Sequence, residues 1–281
     1  MNFETWLGRS ETATDVITAT PYAALSATLD RPSGRPPEGT PLPPLWHWLY
    51  FLPLYQQSEV GPDGHARRGE FLPPVPLPRR MWAGSELEFH DPLRVGDEVT
   101  RVSTIAAINE KTGRSGSLVF VKVRHELRRN GESALALAET HDIVYREAAR
   151  AGAGAPAPAA APVAAAWQRK VVPDAVLLFR YSALTFNGHR IHYDRSYVTE
   201  VEGYPGLVVH GPLLATLLLD LLREHRPHAA VARFAFRASS PLFDIDPFFV
   251  CGEPASDGRT VQLWAKDHRG GLAMEATAIV S

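Results

Sequence analysis

The sequence of 281 residues has little cysteine, little excess charge and no long hydrophobic run. Its single cysteine, Cys251, excludes a disulfide within the chain and fits a reducing compartment. The formal net charge of -2 gives no electrostatic reason to expect nucleic acid or an anionic membrane as a partner. No apolar run approaches the roughly 20 residues that span a bilayer, and the N-terminus lacks the basic-then-apolar order of a signal peptide. We therefore expect a cytoplasmic protein that binds neither nucleic acid nor membrane.

Two common catalytic patterns are also missing. The Gly-x-Ser-x-Gly turn of serine hydrolases is absent, and so is the His-Glu-x-x-His pattern of zinc peptidases. The spacing of His189, His192 and Asp194 is conceivable for a metal site, but no cysteine and no clear distant ligand support one. We expect no metal and no separate cofactor.

One segment divides the chain. Residues 148–166 are almost entirely Ala, Gly and Pro, with no periodic apolar face. This composition predicts an extended or flexible linker rather than packed structure. The flanking segments, 1–147 and 167–281, each have the size of a compact domain.

The two flanking segments carry the same order of strand patterns. Each contains three alternating stretches with a glycine turn before the last, at 98–108, 117–127 and 134–145 in the first segment and at 247–253, 260–267 and 272–280 in the second. An ordered match of this kind predicts the duplication of one structural unit.

The second segment also contains a helix pattern over residues 212–225. Its leucines occur nearly all round the helix, which predicts burial; Pro212 suits the first turn and Pro227 ends the helix. The matching place in the first segment holds a proline-rich aromatic stretch, 41–51, and then a long Pro/Gly-rich excursion, 53–78, of a kind that often covers a site. A buried helix followed by antiparallel strands predicts an α+β fold with the sheet wrapped around the helix.

The densest group of reactive side chains lies in residues 179–194. Its members are Tyr181, Asn187, His189, Arg190, His192 and Asp194. A second stretch, 202–212, leads through His210 and Gly211 into the predicted buried helix. Unpaired N–H groups and the helix dipole at such a start can stabilise a carbonyl oxygen that gains negative charge.

These patterns resemble the hydratase 2, or MaoC-like, double hot-dog enzymes over nearly the whole chain. The resemblance rests on Pro44–Phe51, Asp63–His65, Arg79–Gly84 and Val95–Asp97 in the first segment and on Tyr181–Asp194 and Gly203–Pro212 in the second. It implies two tandem hot-dog units, each an antiparallel sheet around a helix. The first, 1–147, would be degenerate and cover the substrate or CoA, and the second, 167–281, would be catalytic.

The chain departs from the motif of the wider family at one important position. That family carries Gly-Asp-x-Asn-Pro-x-His, in which Asp and His share the catalytic water. Here Phe186 and Asn187 stand in place of Gly-Asp, His189 and Arg190 replace Asn-Pro, and His192 keeps the histidine. Asparagine can orient a water but cannot take its proton at neutral pH.

The resemblance therefore predicts three catalytic residues. His192 would be the general base for hydration and the acid for dehydration, because the usual imidazole pKa of about 6.5 suits both duties. Asn187 would position the water, and the N–H of Gly211 would polarise the thioester carbonyl. The implied activity is reversible addition of water to an α,β-unsaturated acyl-CoA, with CoA as part of the substrate.

Five more residues are predicted to bind the substrate. They are Tyr181, His189, Arg190, Asp194 and His210. Arg190 could hold a substrate carboxylate, although a surface ion pair explains it equally well. The resemblance points to a C5 dicarboxylyl-CoA, mesaconyl-C4-CoA or itaconyl-CoA, giving citramalyl-CoA.

Three alternative functions remain open. A 3-hydroxyacyl thioester dehydratase of fatty-acid metabolism would use the same chemistry on another acyl group. A hot-dog acyl-CoA thioesterase would share the fold but is expected to activate water with a carboxylate, and a non-catalytic acyl-binding module would not depend on His192. The oligomeric state also remains open, since the chain could act as a monomer or pair as a homodimer.

Overall fold

The structure is a computed structural model that describes residues 3–31, 34–67, 69–113, 116–147 and 157–281. Ten strands form one antiparallel sheet. The strands are β1 Ser10–Val16, β2 Arg79–Phe89, β3 Glu98–Gly113, β4 Gly116–Arg129, β5 Leu137–Arg146, β6 Trp167–Val171, β7 Val231–Ala238, β8 Phe248–Pro254, β9 Thr260–Asp267 and β10 Leu272–Val280. The α-helices are α1 Ala19–Thr28, α2 Ala175–Leu184 and α3 Gly211–His225. Short helices of the 3-10 type span Glu4–Trp6, Trp46–Leu49, Gln57–Glu59 and Arg190–His192, and a π-helix spans Tyr197–Val201.

The strand order shows that the predicted duplication is real. The sheet runs β1-β3-β4-β5-β2-β7-β10-β9-β8-β6, so the first five strands and the last five repeat one arrangement in mirror order. The two halves join where β2 pairs with β7, with Gly84 opposite Arg237. A Cβ at Gly84 would lie 2.3 Å from the carbonyl oxygen of Phe236, so only glycine permits this junction. The three strands predicted in each half are confirmed, whereas β1, β2, β6 and β7 were not predicted.

Helix α3 forms as the leucine pattern predicted. It begins at Gly211, with Pro212 in its first turn, and its buried residues run without interruption from Leu213 to Leu222. It packs across β6, β8, β9 and β10. The core of the second half therefore consists of one leucine-rich helix lying on the sheet.

The first half has no helix of this length at the matching place. The 3-10 helix Trp46–Leu49 occupies it, and both Leu45 before it and Phe51 after it adopt left-handed backbone conformations, with φ of 72° and 53°. Buried polar groups hold this short helix against β5. His47 Nε2 lies 2.9 Å and Trp48 Nε1 3.1 Å from a carboxylate oxygen of Glu139.

The described part of the Ala/Pro/Gly segment, residues 157–166, is extended and mostly exposed, but backbone hydrogen bonds anchor it. The N–H of Leu272 donates to Ala159 at 2.7 Å, and the N–H of Ala161 donates to Gly270 at 2.9 Å. Ala161 is buried together with Cys251. Hydrogen bonds to a glycine turn, which composition does not encode, thus hold Ala159 and Ala161 in place. Residues 148–156 of the predicted linker lie outside the described residues.

Among the described helices, none combines the length and apolar character needed to cross a bilayer.

Candidate active site

Helix α2 contains the first part of the reactive segment, residues 179–194, and leads into the rest of it. Asp174 caps the helix by accepting the N–H of Leu177 at 2.7 Å. The helix ends at Leu184, and the chain then turns at Phe186, which adopts a left-handed conformation with φ of 50°. Such a conformation in an aromatic residue is strained and must be held by its surroundings.

Gly188, two residues after this turn, instead makes a close contact with the first half of the chain. Its φ lies outside the left-handed region, and a Cβ on it would lie 2.7 Å from the carbonyl oxygen of Gly64. A Cβ at Gly64 would in turn lie 1.8 Å from the oxygen of Gly188. The two glycines therefore allow a loop of the first half to dock directly against the reactive segment of the second.

His192 has the environment of a neutral base. Its Nδ1–H donates to the carbonyl oxygen of Val208 at 2.7 Å, which leaves the lone pair on Nε2. The residue is buried, with 7% of its surface exposed. Burial lowers the pKa of His192 to about 4, so the ring is neutral at physiological pH.

The imidazole of His192 lies beside the start of α3. It stacks on the ring of His210, with centroids 3.7 Å apart and planes 17° apart. His210 immediately precedes Gly211, the first residue of the helix. A Cβ at Gly211 would meet nothing closer than Met274 Cε at 4.0 Å, so the backbone is uncrowded there. A neutral imidazole and the positive end of a helix dipole thus adjoin one another.

His210 is itself a buried polar group. Its Nε2 shares a 2.8 Å hydrogen bond with Ser182 Oγ, whereas its Nδ1 has no hydrogen-bond partner among the described residues. Burial, followed by the neighbouring His192, lowers the pKa of His210 well below its usual value. Tyr181 packs edge-on to its ring at 5.0 Å and shares a hydrogen bond with Thr216. Tyr181 therefore supports His210 from inside the core.

Arg190 and Asp194 form an ion pair at the edge of the site. The guanidinium donates to Asp194 Oδ2 at 2.7 and 3.0 Å and to the carbonyl oxygen of Pro62 at 3.0 Å. The N–H of Tyr197, and then Arg190, hold the pKa of Asp194 below its usual value. These contacts occupy Arg190, so it stabilises the loop rather than presenting a free cation.

Asn187 also has part of its hydrogen-bonding capacity in use. Its Oδ1 accepts the backbone N–H of His189 at 3.0 Å. The donors of Nδ2 remain the groups that Asn187 can offer to a water.

Sequence reasoning assigned no role to two residues that adjoin this site, Asp63 and His65. His65 Nδ1 lies 3.0 Å from Asp63 Oδ2, and the His65 ring packs on His189 with centroids 4.0 Å apart. Burial, followed by the neighbouring His65, lowers the pKa of His189 to about 2. Burial raises the pKa of Asp63, but the hydrogen bonds and charge of His65 outweigh it and bring that pKa below its usual value. The signal available in the sequence was the Asp63-Gly64-His65 string itself.

These side chains are also the described group closest to a metal-binding arrangement. Ligating atoms of Asp63, His65 and His189 lie within 4.8 Å of one another. However, the hydrogen bond to Asp63 already occupies His65 Nδ1. The group is organised as a hydrogen-bonded pair beside a packed ring rather than around a common ion.

Comparisons with known proteins agree with this architecture. A family model described as hydroxyacyl-thioester dehydratase type 2 matches residues 45–244. Mesaconyl-C(4)-CoA hydratase from Chloroflexus aurantiacus is 49% identical over 272 residues, covering 97% of this chain and 95% of the relative.

Solved structures show the same fold at low sequence identity. A MaoC-like dehydratase from Phytophthora capsici superposes with a TM-score of 0.66 at 13% identity, covering 100% of this chain and 99% of the other. A Mycobacterium tuberculosis protein described as having a double hot-dog fold gives a TM-score of 0.54 at 14% identity, covering 98% and 96%.

Fold and site together define a double hot-dog enzyme of the MaoC-like class, with an α+β architecture as expected. The chain belongs to the hydroxyacyl-thioester dehydratase type 2 family. It is accordingly a hydro-lyase that adds water to, or removes it from, an acyl thioester.

Proposed function

We propose that this enzyme hydrates a C5 dicarboxylyl-CoA, mesaconyl-C4-CoA or itaconyl-CoA, reversibly to citramalyl-CoA. The observation that carries the proposal is the 49% identity, over 97% of this chain, to a relative named mesaconyl-C(4)-CoA hydratase. An alignment over 97% of this chain includes both halves of the sheet.

His192 acts as the general base in the proposed reaction. Its Nε2 takes a proton from water while the water oxygen bonds to Cβ, and the electron pair of the double bond moves towards Cα and the thioester oxygen. The neutral state of the ring supports this role, because only a neutral imidazole can accept that proton. In dehydration the protonated ring returns the proton to the leaving hydroxyl group.

The start of α3 stabilises the charge that develops on the thioester oxygen. The N–H of Gly211 is the proposed donor, and the uncrowded space at Gly211 supports access to it. Asn187 orients the water through Nδ2, while His210 and Tyr181 shape the wall beside His192. His189 would contact the substrate, and Arg190 with Asp194 would hold the loop. No cofactor is needed, because CoA belongs to the substrate.

A dicarboxylyl substrate also brings a second carboxylate that needs a cation. Arg79 is paired with Glu202 at 3.3 Å and Arg190 with Asp194. Arg80, by contrast, is half-buried, and its side chain forms no hydrogen bond or ion pair with the residues that the structure describes. Its charge contributes, after burial and two histidines, to the lowered pKa of His189, which indicates that it lies near the site. We assign the carboxylate to Arg80 rather than to Arg190.

A hydration assay tests the proposal. Mesaconyl-C4-CoA, itaconyl-CoA and crotonyl-CoA are compared by loss of enoyl absorbance and by release of free thiol. The proposal predicts absorbance loss without thiol release, fastest with a dicarboxylyl substrate, and a lower preference for that substrate in Arg80→Met. Thiol release would instead identify a thioesterase, and equal rates for all three substrates would contradict the dicarboxylyl assignment.

A second candidate is dehydration of 3-hydroxyacyl thioesters of fatty-acid metabolism. The description of the matched family favours it, since the match covers residues 45–244. A medium-chain 3-hydroxyacyl-CoA included in the same assay separates the two. Turnover faster than with citramalyl-CoA would favour this candidate.

Location and assembly are part of the same proposal. We place the enzyme in the cytoplasm, because CoA thioesters and a single buried thiol both suit a reducing compartment. The sheet already contains both hot-dog halves, so a monomer is complete, and a homodimer would add an interface without adding a site. Sedimentation of the purified protein measures which form exists.

A further inference from the structure

A loop of the first half is a fixed part of the site in the second half. Gly64 and Gly188 approach so closely that neither tolerates a Cβ. The N–H of Arg190 donates to the carbonyl oxygen of Asp63 at 2.9 Å, and its guanidinium reaches Pro62 at 3.0 Å. The loop therefore arrives beside the active site with its backbone held at several points.

This loop carries a carboxylate–imidazole pair. Asp63 Oδ2 lies 3.0 Å from His65 Nδ1, and Asp63 Oδ1 accepts the backbone N–H of His65 at 3.0 Å. A carboxylate held in this way fixes the tautomer of the imidazole and stabilises its protonated form. The His65 side chain is 25% exposed, so it can meet a ligand that approaches the more deeply buried His192.

The ring of His189 adjoins those of both His65 and His192. The centroid of His189 is 4.0 Å from that of His65 and 5.4 Å from that of His192. The three imidazoles therefore form one cluster, in which His65 is more exposed than His192. Tyr55, His189, His192 and Tyr197 interact electrostatically with the pair, and Arg80 interacts with Tyr55 and His189.

We propose that the Asp63–His65 pair is the second proton-transfer group of the site, contributed by the non-catalytic half of the chain. The proposal rests on the hydratase function above. It supplies what hydration needs besides a base: a proton for Cα, delivered at the carbon next to the one that water attacks. Asn187 cannot provide that proton from an ionisable group.

The proton balance of hydration is complete with this assignment. His192 Nε2 takes one proton from water, and the remaining hydroxide forms the C–O bond at Cβ. The electron pair of the double bond moves to Cα, which takes a proton from the His65 imidazolium, while Asp63 compensates the charge before transfer. His192 then loses and His65 regains one proton through solvent.

The test compares His65→Gln and Asp63→Asn with His228→Gln, a change at an exposed histidine between α3 and β7. For His65→Gln we expect kcat to fall by about 10²-fold or more, with KM changed little. The wild-type rate should fall at alkaline pH, where His65 loses its proton. That limb should disappear in His65→Gln and shift to lower pH in Asp63→Asn.

Two results would overturn the inference alone. In the first, wild type hydrates its substrate, and His65→Gln has the same rate and pH profile as the His228→Gln control. The other is activity that is lost on chelation and restored by Zn²⁺ in wild type but not in Asp63→Asn, which would make the group a metal site. A wild-type protein that hydrates no enoyl-CoA would overturn the proposed function, and this inference with it.

Discussion

The two halves of the sheet have the same strand arrangement, but the helices that pack on them differ. The second half lays the leucine-rich α3 against β10, whose buried residues include the small side chains Ala273, Ala276 and Ala278. The first half has the four-residue helix Trp46–Leu49 and a buried carboxylate, Glu139, on β5. A duplicated sheet can therefore lose its central helix if paired polar groups replace part of the apolar core.

The polar replacement in the first half is an extended network. Glu139 accepts from His47 and Trp48 and lies 2.8 Å from His141 Nε2. His125 continues the network, 3.2 Å from His141, and reaches Ser103 at 2.8 Å. Burial raises the pKa of Glu139, but the opposing effects of His141 and His47 are larger. The net pKa of Glu139 is therefore well below its usual value. Such networks are rigid when satisfied and costly when broken.

The difference between the halves also determines which segments of each half reach the candidate site. Without a long helix, the chain after Leu49 is free to cross to the other half, where Gly64 meets Gly188. The half that keeps its helix provides His192 and the helix start at Gly211. The half that lost it provides a loop to the same site.

The largest stability effect is expected from breaking the polar network. Glu139→Ala should lower the free energy of unfolding by about 3–5 kcal/mol, because His47 and Trp48 lose a buried partner. Chemical denaturation measures it. Glu86→Ala, on an exposed position of β2, is the control and should stay within about 0.5 kcal/mol of wild type. Equal effects of the two changes would show that the network does not stabilise the first half.

A matched change in the other half tests the apolar filling. Leu218 in α3 is fully buried, so Leu218→Ala should cost about 2–5 kcal/mol through lost burial and the cavity left behind. The same denaturation experiment gives the value. A loss below about 1 kcal/mol would mean that α3 is not the core of its half.

His192, in the second half, should contribute to the acid dependence of stability. The pKa of His192 is lowered to about 4 in the folded state, against about 6.5 unfolded. The unfolded chain therefore binds the extra proton first, and stability is lost as pH falls from 6.5 towards 4, by on the order of 3 kcal/mol from this residue. The difference in the free energy of unfolding between pH 7 and pH 5 should be smaller for His192→Gln than for wild type. An equal difference in the two proteins would show that groups other than His192 cause the loss of stability.

The smallest effect concerns the contact between the halves. Gly64 and Gly131 both adopt positive φ, 89° and 84°, but a Cβ would clash only at Gly64. Gly131→Ala should cost about 1–2 kcal/mol from backbone strain and leave activity unchanged. Gly64→Ala should cost more and lower kcat at least tenfold, because the loop must move away from Gly188. Equal kcat in the two variants would argue against a catalytic contribution from the first half.

Much of the fold could be predicted because its signals are local. Alternating strand patterns and the leucine pattern of 212–225 identified α3 and six strands, β3, β4, β5, β8, β9 and β10. The edge strands β1 and β6 were not predicted because they are short and mostly polar. Strand β2 was not predicted because Gly84 and its charged neighbours obscure the alternation of polar and apolar residues. Helix α1 has no distinct apolar face, so its sequence gave no periodic signal.

The same limit applies to the site. His192, Asn187 and His189 could be predicted together because they are close in sequence, and so could Gly211 at a recognisable helix start. The stacking of His192 on His210 and the contact of His65 with His189 depend on tertiary packing, which no spacing encodes. The sequence allowed Arg190 either to bind a substrate carboxylate or to form a surface ion pair. Arg190 pairs with Asp194, which leaves Arg80 as the proposed carboxylate ligand.

The central claim is that the neutral imidazole of His192, beside the start of α3, takes the proton from water. Steady-state hydration of mesaconyl-C4-CoA by wild type, His192→Gln and the exposed control His228→Gln tests it most directly. We expect kcat to fall by about 10²–10⁴-fold in His192→Gln alone, with its fold retained. A His192→Gln enzyme within a few-fold of wild type would contradict the claim.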